Sequence, residues 1–290
     1  MGASSVVPLS TDEIDLVRKY GLTLGQIKWR RQKKGDLRER FQEQYPESDV
    51  TCFLTSGRCC FDVQALLAQQ RRVGARPEAV AAIPGKAKQT TAVAPMVLSV
   101  WKPPAVGSRY VIGADVGEGI QGGDASAAAV LDRKTCEQVA ELHGWVAPDR
   151  FARLLDALGR WYNLASIAVE RNNHGHSTLN TLSNVCRYPQ LYRHVKYDAT
   201  QNIVPVLGWP TDQATKPILV DDLAAAIAGG HVIINSGALI DECLTFVMTD
   251  TGAQEAQQGK HDDRVLAIGI AWQARKRGWA RPSGERPPGW

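Results

Sequence analysis

Apolar and polar positions along the chain change rhythm twice. Between residue 10 and about residue 45, charged and apolar residues alternate with a helical period. Ile14, Val17 and the stretch from Leu24 to Trp29 supply the apolar positions, with a break at Gly21. Ser10 or Thr11 offers an N-cap, and if Ser10 is the cap, Glu13 stands where a capping box needs it. Tyr45-Pro46 closes this stretch. A second break runs from Pro77 to Pro95, where Pro84-Gly85-Lys86 and polar neighbours predict a loop or linker.

From about residue 96 the pattern becomes that of strands alternating with helices. The apolar run from Arg109 to Val116 predicts a buried strand, and Ser126–Leu131 a second. Asp132–Thr135 is a turn into a third strand near Glu137–His143. A helix follows, with Pro148 in its first turn and Phe151, Leu154, Leu155, Leu158 and Trp161 or Tyr162 at helical spacing. Ala165–Glu170 predicts another strand, then come a helix to about Val185, a strand near Leu191–Lys196 and a helix over Thr215–Ala228. Between Gly259 and Gly278 the pattern from Asp262 to Arg277 is helical. This order is that of an RNase H-like α/β fold, a mixed central sheet flanked by helices, here with an N-terminal, mainly helical extension.

Composition adds little to that picture and excludes some classes. The 290 residues are 44% hydrophobic and 22% charged, enough for a sizeable core. There is no charged-then-apolar leader and no apolar run of roughly 18 residues, so neither a secretion signal nor a membrane span is expected. Six cysteines lack C-x-x-C spacing and read as reduced thiols of a cytosolic protein. The net charge of +4 permits a polyanion partner without arguing for one. Its distribution says more. Basic residues crowd Lys28–Arg40 and the tail (Arg275, Lys276, Arg277, Arg281, Arg286), where they either neutralise phosphates or form a solvated face and a free end.

The carboxylates carry the chemistry. Asp115 interrupts the apolar first strand, Glu170 ends the fourth, and Asp262 and Asp263 open the last helix. An unpaired carboxylate inside a buried strand costs several kcal/mol, whereas one at a strand end can face a cleft where a cation offsets its charge. If the first and fourth strands are neighbours, Asp115 and Glu170 project side by side, and the last helix brings a third acid to them. Oxygen donors in such a set suit Mg²⁺ or Mn²⁺. Two such ions, about 3.5–4 Å apart, support in-line phosphodiester hydrolysis. Each acid alone has another reading: Asp115 as a turn residue before Gly117 and Gly119, Glu170 as a surface partner of Arg171 or Lys196, Asp262 and Asp263 as helix caps.

Together these residues resemble a known family. Ile112-Gly113-Ala114-Asp115-Val116-Gly117-Glu118-Gly119, with Gly123-Asp124 and Ser126, resembles the first nuclease motif of phage terminase large subunits. Val169-Glu170-Arg171-Asn172-Asn173-His174-Gly175 resembles the second, and Gly259–Val265 the third. Gly208-Trp209-Pro210-Thr211 and Lys216-Pro217 are similar to the stretch between the last two. Upstream, Trp29-Arg30-Arg31, Phe41-Gln42-Glu43, Tyr45-Pro46, Phe53–Gly57 and Phe61-Asp62 resemble the segment that joins ATPase to nuclease in that family.

The resemblance implies a metal-dependent endodeoxyribonuclease that cuts concatemeric double-stranded viral DNA during packaging, in the host cytoplasm. It implies catalysis and metal binding by Asp115, Glu170 and Asp262 or Asp263, with two Mg²⁺ or Mn²⁺ ions. Asp124 is a further candidate, or a turn residue. Asn172, Asn173 and His174 would contact phosphate or support the metal ligands, or cap a helix. His261 would assist a water or cap the last helix, and Lys216 and Lys260 would contact DNA. The small terminase subunit, the portal and an ATPase domain are the implied partners, with the isolated domain a monomer. The chain departs from the family in having no G-x-x-x-x-G-K-[S/T], so no ATPase activity is expected of it. The expectation is an isolated C-terminal piece: 1–95 as the segment that would follow an ATPase domain, 96–277 as the nuclease domain and 278–290 as a flexible basic tail. The alternatives are a junction or RNA–DNA hybrid nuclease, and a catalytically idle module that binds DNA or the portal.

Overall fold

The computed structural model describes residues 8–38, 41, 45, 58–73, 77, 79–83, 96–120, 122–197 and 202–276. The expected tail over 278–290, the Phe53–Gly57 stretch and Pro84–Ala87 lie outside them. The chain divides into two compact units, Met1–Gly57 and Arg58–Trp290. The larger unit thus begins upstream of residue 96, where the sequence pattern changes.

In the first unit, α1 (Thr11–Tyr20) and α2 (Leu24–Leu37) follow from local chemistry. Ser10 and Glu13 form the anticipated capping box, and Gly21 ends α1 in the left-handed conformation. Thr23 and Gln26 repeat the box at the start of α2. Part of the basic run is committed internally. Arg31 donates to Glu13 at 2.7 Å and the buried Arg30 to Asp12 at 3.2 Å. These two arginines belong to an ion-paired helix pair rather than to an open phosphate-binding face.

The second unit opens with α3 (Val63–Gln70), capped by Asp62, and is built on a six-stranded sheet. The strands are β1 (Ala79–Ile83), β2 (Met96–Val100), β3 (Tyr110–Asp115), β4 (Ser126–Asp132), β5 (Gln138–Gly144) and β6 (Ser166–Val169), in the order β1-β2-β5-β4-β3-β6. Only β3 and β6 run parallel; the other neighbours are antiparallel. The mixed sheet flanked by helices is the RNase H-like arrangement expected.

Two expectations need correction. The Pro77–Pro95 stretch is not all linker, because Ala79–Ile83 pairs with β2. Its Ala-Val-Ala-Ala-Ile has no polar alternation, and strand identity comes from the edge it is offered. The strand near Leu191 does not extend the main sheet. It forms a separate two-stranded ribbon of β7 (Arg193–Tyr197) and β8 (Ile203–Leu207), touching β6 through an Ile167–Leu191 bridge.

The two faces of the sheet are covered by helices of different kinds. On one, α4 (Pro148–Trp161) buries Phe151, Leu155 and Leu158 among Ile112, Ala114, Val130 and Leu142. Each such side chain contributes roughly 1.5–3 kcal/mol. On the other lies α8 (Asp263–Arg275), buried along almost its whole length. Its bed is made of small residues in register: Ala168, Gly113 and Ala129 lie side by side on β6, β3 and β4. A Cβ on Gly113 would stand 2.2 Å from both Ala267 O and Ala271 N, so the helix backbone rests directly on the strand. Gly113→Ala should therefore destabilise the unit by ~1–3 kcal/mol, the cost of overpacking a filled core. A chemical melt checks this; a loss under about 0.5 kcal/mol would mean α8 shifts freely.

Against α4, α5 (Asn173–Asn180) runs into a π-helical turn at Thr181–Val185, and α6 (Thr215–Ala228) and α7 (Gly237–Leu244) pack beside α8. The hairpin of β9 (Phe246–Met248) and β10 (Gln254–Ala256) precedes α8. Among the described residues no helix is long and apolar enough to cross a membrane.

Candidate metal centre

Register on this sheet determines where the acids meet. Side chains alternate along a strand, so Asp115 shares the α8 face with Gly113. Two strand residues advance about 6.6 Å; four helical residues advance about 6 Å. Stepping from Gly113 to Asp115 therefore matches stepping back from Ala267 to Asp263. On the parallel neighbour, Ala168 pairs with Gly113, which puts Glu170 beside Asp115. Glu170 N donates to Ala114 O at 2.7 Å and holds that alignment. Across β4 and β5, Ala127 and His143 complete the same row, the alanine leaving room between Asp115 and the imidazole.

The row is buried: Asp115 is 7% exposed, Glu170 5% and Asp263 4%. Burial pushes the Asp115 carboxyl well above the ordinary carboxylate range, and Glu170, Asp263 and Asp262 add to the rise. The Glu170 side chain beside Asp115 favours the neutral form of the Asp115 carboxyl. Asp115 Oδ1 also accepts from Val116 N at 2.8 Å. One oxygen of Asp263, Oδ2, is buried without a hydrogen-bond partner; His143 Nε2 at 3.8 Å is too far to donate to it. Asp262 stands at the N-cap of α8 yet makes no side-chain capping bond. Its carboxylate instead faces Lys216 Nζ at 3.5 Å. Burial raises Asp262 too, and Lys216 opposes that rise.

Glu170 is steadied from its own loop. Asn172 Nδ2 donates to Glu170 Oε2 at 2.6 Å and to Val116 O at 3.2 Å, while its Oδ1 accepts from Gly175 N at 2.7 Å. One side chain thus caps α5 and holds the Glu170 carboxylate. Gly175 is needed for the turn: a Cβ there would fall 1.8 Å from Glu170 O. Removing the cap in Asn172→Ala should cost ~1 kcal/mol of stability. Losing the hold on Glu170 should lower metal affinity ~10–100-fold, measurable by Mn²⁺ titration; unchanged affinity would leave only the cap. Gly208-Trp209 lies along the outer side of β6, with Trp209 N donating to Val169 O at 2.8 Å, which explains that motif's place near Glu170.

Other candidates stand apart. His174 is 3.6 Å from Glu118 at the surface. Asp124, Asn173, Lys260 and His261 are exposed, and the structure brings none of them onto the four acids. The sequence reading missed Arg264, Glu141 and Glu242. Arg264 Nε donates to Glu141 Oε1 at 2.9 Å, Nη1 to Glu242 Oε1 at 2.6 Å, and its backbone N to Glu242 Oε2 at 2.9 Å. Burial pushes Glu242 up to about 7 despite that partner. The available signal was the Glu141 carboxylate within a largely buried strand.

Among the described residues, no three His, Cys, Asp or Glu side chains stand close enough, as placed, to grip an ion. The donors nonetheless suit a hard cation: two buried carboxylates side by side, a third with an orphaned buried oxygen, and a fourth paired with a lysine.

A mixed sheet carrying acids at the carboxyl ends of adjacent parallel strands, met by a terminal helix, defines the RNase H-like class. Residues 112–275 match the family model of the terminase RNaseH-like domain, and the chain belongs to that family. No curated protein matches it. Among solved structures, it is similar to the large terminase nuclease from thermophilic phage G20c with bound cobalt, at 21% identity over 61% of this chain and 86% of that one, TM-score 0.49. It is also similar to the large terminase nuclease domain of Thermus phage P74-26, at 24% identity over 63% and 90%, TM-score 0.47.

Proposed function

We propose that this chain is the metal-dependent endonuclease of a phage DNA-packaging motor, cutting concatemeric duplex DNA in the host cytoplasm. The observation that carries the reading is the buried Asp115–Glu170 pair, side by side on adjacent parallel strands, with Asp262 and Asp263 facing it. Repelling carboxylates gathered under a helix destabilise a fold, so their retention needs a use. Asp115, Glu170 and Asp262 or Asp263 would hold one or two Mg²⁺ or Mn²⁺ ions. Such ions supply charge that activates a water and stabilises the leaving 3′-oxygen. The protein's part is orientation. Backbone pairing fixes Asp115 against Glu170, Asn172 limits the rotation of Glu170, and the flush contact at Gly113 sets the height of Asp263. Lys260, exposed just before the acids, would contact a backbone phosphate. Targeting would come from the small subunit, the portal and the ATPase domain of the motor.

The test is linearisation of supercoiled plasmid by the purified chain with Mg²⁺, Mn²⁺ or EDTA, alongside Glu170→Gln, with a four-way junction and an RNA–DNA hybrid as competing substrates. Duplex cutting that needs metal and disappears in Glu170→Gln is expected. Preference for the junction or the hybrid would move the protein to another RNase H-like activity. DNA binding without cutting under every metal would make it an idle module.

A further inference from the structure

Among the described residues, Lys216 is the lysine or arginine that pairs with an acid of the centre. It sits in the first turn of α6, its ammonium 3.5 Å from Asp262 Oδ2 and 5.7 Å from the centre of the Phe246 ring. The same side chain lines a cavity of about 400 Å³ between the start of α6 and the β9–β10 hairpin. Thr211 and Gln254 also line that cavity. Thr211 Oγ1 and Gln254 Oε1 are buried and have no hydrogen-bond partner. Both can accept from an ammonium, and buried acceptors left unmade are costly. A divalent ion on Asp262 would place like charges on one carboxylate, which Lys216 can relieve only by leaving.

We propose that Lys216 is a mobile counter-cation: it neutralises Asp262 while no divalent ion is bound, and moves to the Thr211 and Gln254 oxygens when an ion takes that carboxylate. This rests on the metal-centre reading above and adds a property to it. Lys216 competes with the metal and so sets the concentration at which the centre loads. The pairing also keeps the acidic cluster from carrying its full charge before loading.

Calorimetric titration of the whole chain with Mn²⁺, without DNA, tests this. In Lys216→Met, Mn²⁺ should bind ~2–5-fold more tightly, the scale of one partly exposed ion pair. In an Asp262→Asn background the same substitution should change nothing. Thr211→Val should weaken Mn²⁺ binding in the Lys216 chain and be silent beside Lys216→Met. Unchanged or weaker binding in Lys216→Met, with Asp115→Asn still abolishing it, would overturn the proposal and leave the metal centre standing. If Asp115→Asn binds Mn²⁺ as the parent does, the centre itself is wrong and the proposal falls with it. A silent Thr211→Val in both backgrounds would overturn the second position of the ammonium.

Discussion

Asp115→Asn should abolish metal-dependent plasmid cleavage while making the metal-free protein harder to melt. Both effects come from one carboxyl group. Buried against Glu170 and facing Asp262 and Asp263, it costs the fold free energy whenever it ionises. Asparagine keeps the shape and carries no charge to bury, and its amide can donate to Glu170. Relieving that strain is worth about 1 kcal/mol, which raises Tm by ~2–4 °C in a unit of this size. The same change removes a charge that the reaction needs, and the cleavage rate should fall by ~10³-fold, the scale of losing one group that stabilises transition-state charge. Initial rates on supercoiled plasmid and calorimetric melts in EDTA read the two effects separately. Cleavage within about tenfold of the parent would take Asp115 out of the centre. A fall in Tm of several degrees would make it a structural residue.

The second large effect is expected at Arg264. Its guanidinium joins Glu141 on β5 to Glu242 on α7, and its backbone lies directly after the two aspartates. Arg264→Met would leave two buried carboxylates without their cation, at a cost of ~3–5 kcal/mol. The cost should depend on pH. Burial already lifts Glu242 to about 7 from the ordinary 4.5, so the folded state holds that proton more tightly than the unfolded one. Its stabilising contribution is complete below about 4.5 and is lost as pH rises through about 7. Without Arg264 the carboxyl rises further, so urea melts should show a larger loss at pH 8 than at pH 5.5. Arg264→Met combined with Glu242→Gln should recover part of it. A loss under about 1 kcal/mol, or one equal at both pH values, would mean the cluster is open to water.

Much of this was legible along the chain. Strands β3, β4, β5 and β6 and helices α4, α6 and α8 announce themselves by apolar runs or helical spacing, because each buries a continuous face. Asp115 and Glu170 were conspicuous as charges at the ends of apolar runs. The 79–83 strand was not, since a short run of alanine and valine is a strand only where an edge accepts it. Nor was the ribbon formed by β7 and β8, whose separation from the main sheet is a matter of twist and pairing rather than of composition.

What the sequence by itself determined is most of the buried elements and which carboxylates stand at the ends of apolar runs, since burial periodicity and the cost of a buried charge act locally. Only the tertiary structure decided which charges meet. The row Glu170–Asp115–Ala127–His143 is a property of strand register. The pairing of Asp262 with Lys216 and of Arg264 with Glu141 and Glu242 joins residues 22 to 123 positions apart. Coulomb interactions depend on distance in space and on the dielectric around them, and neither can be read from spacing along a chain.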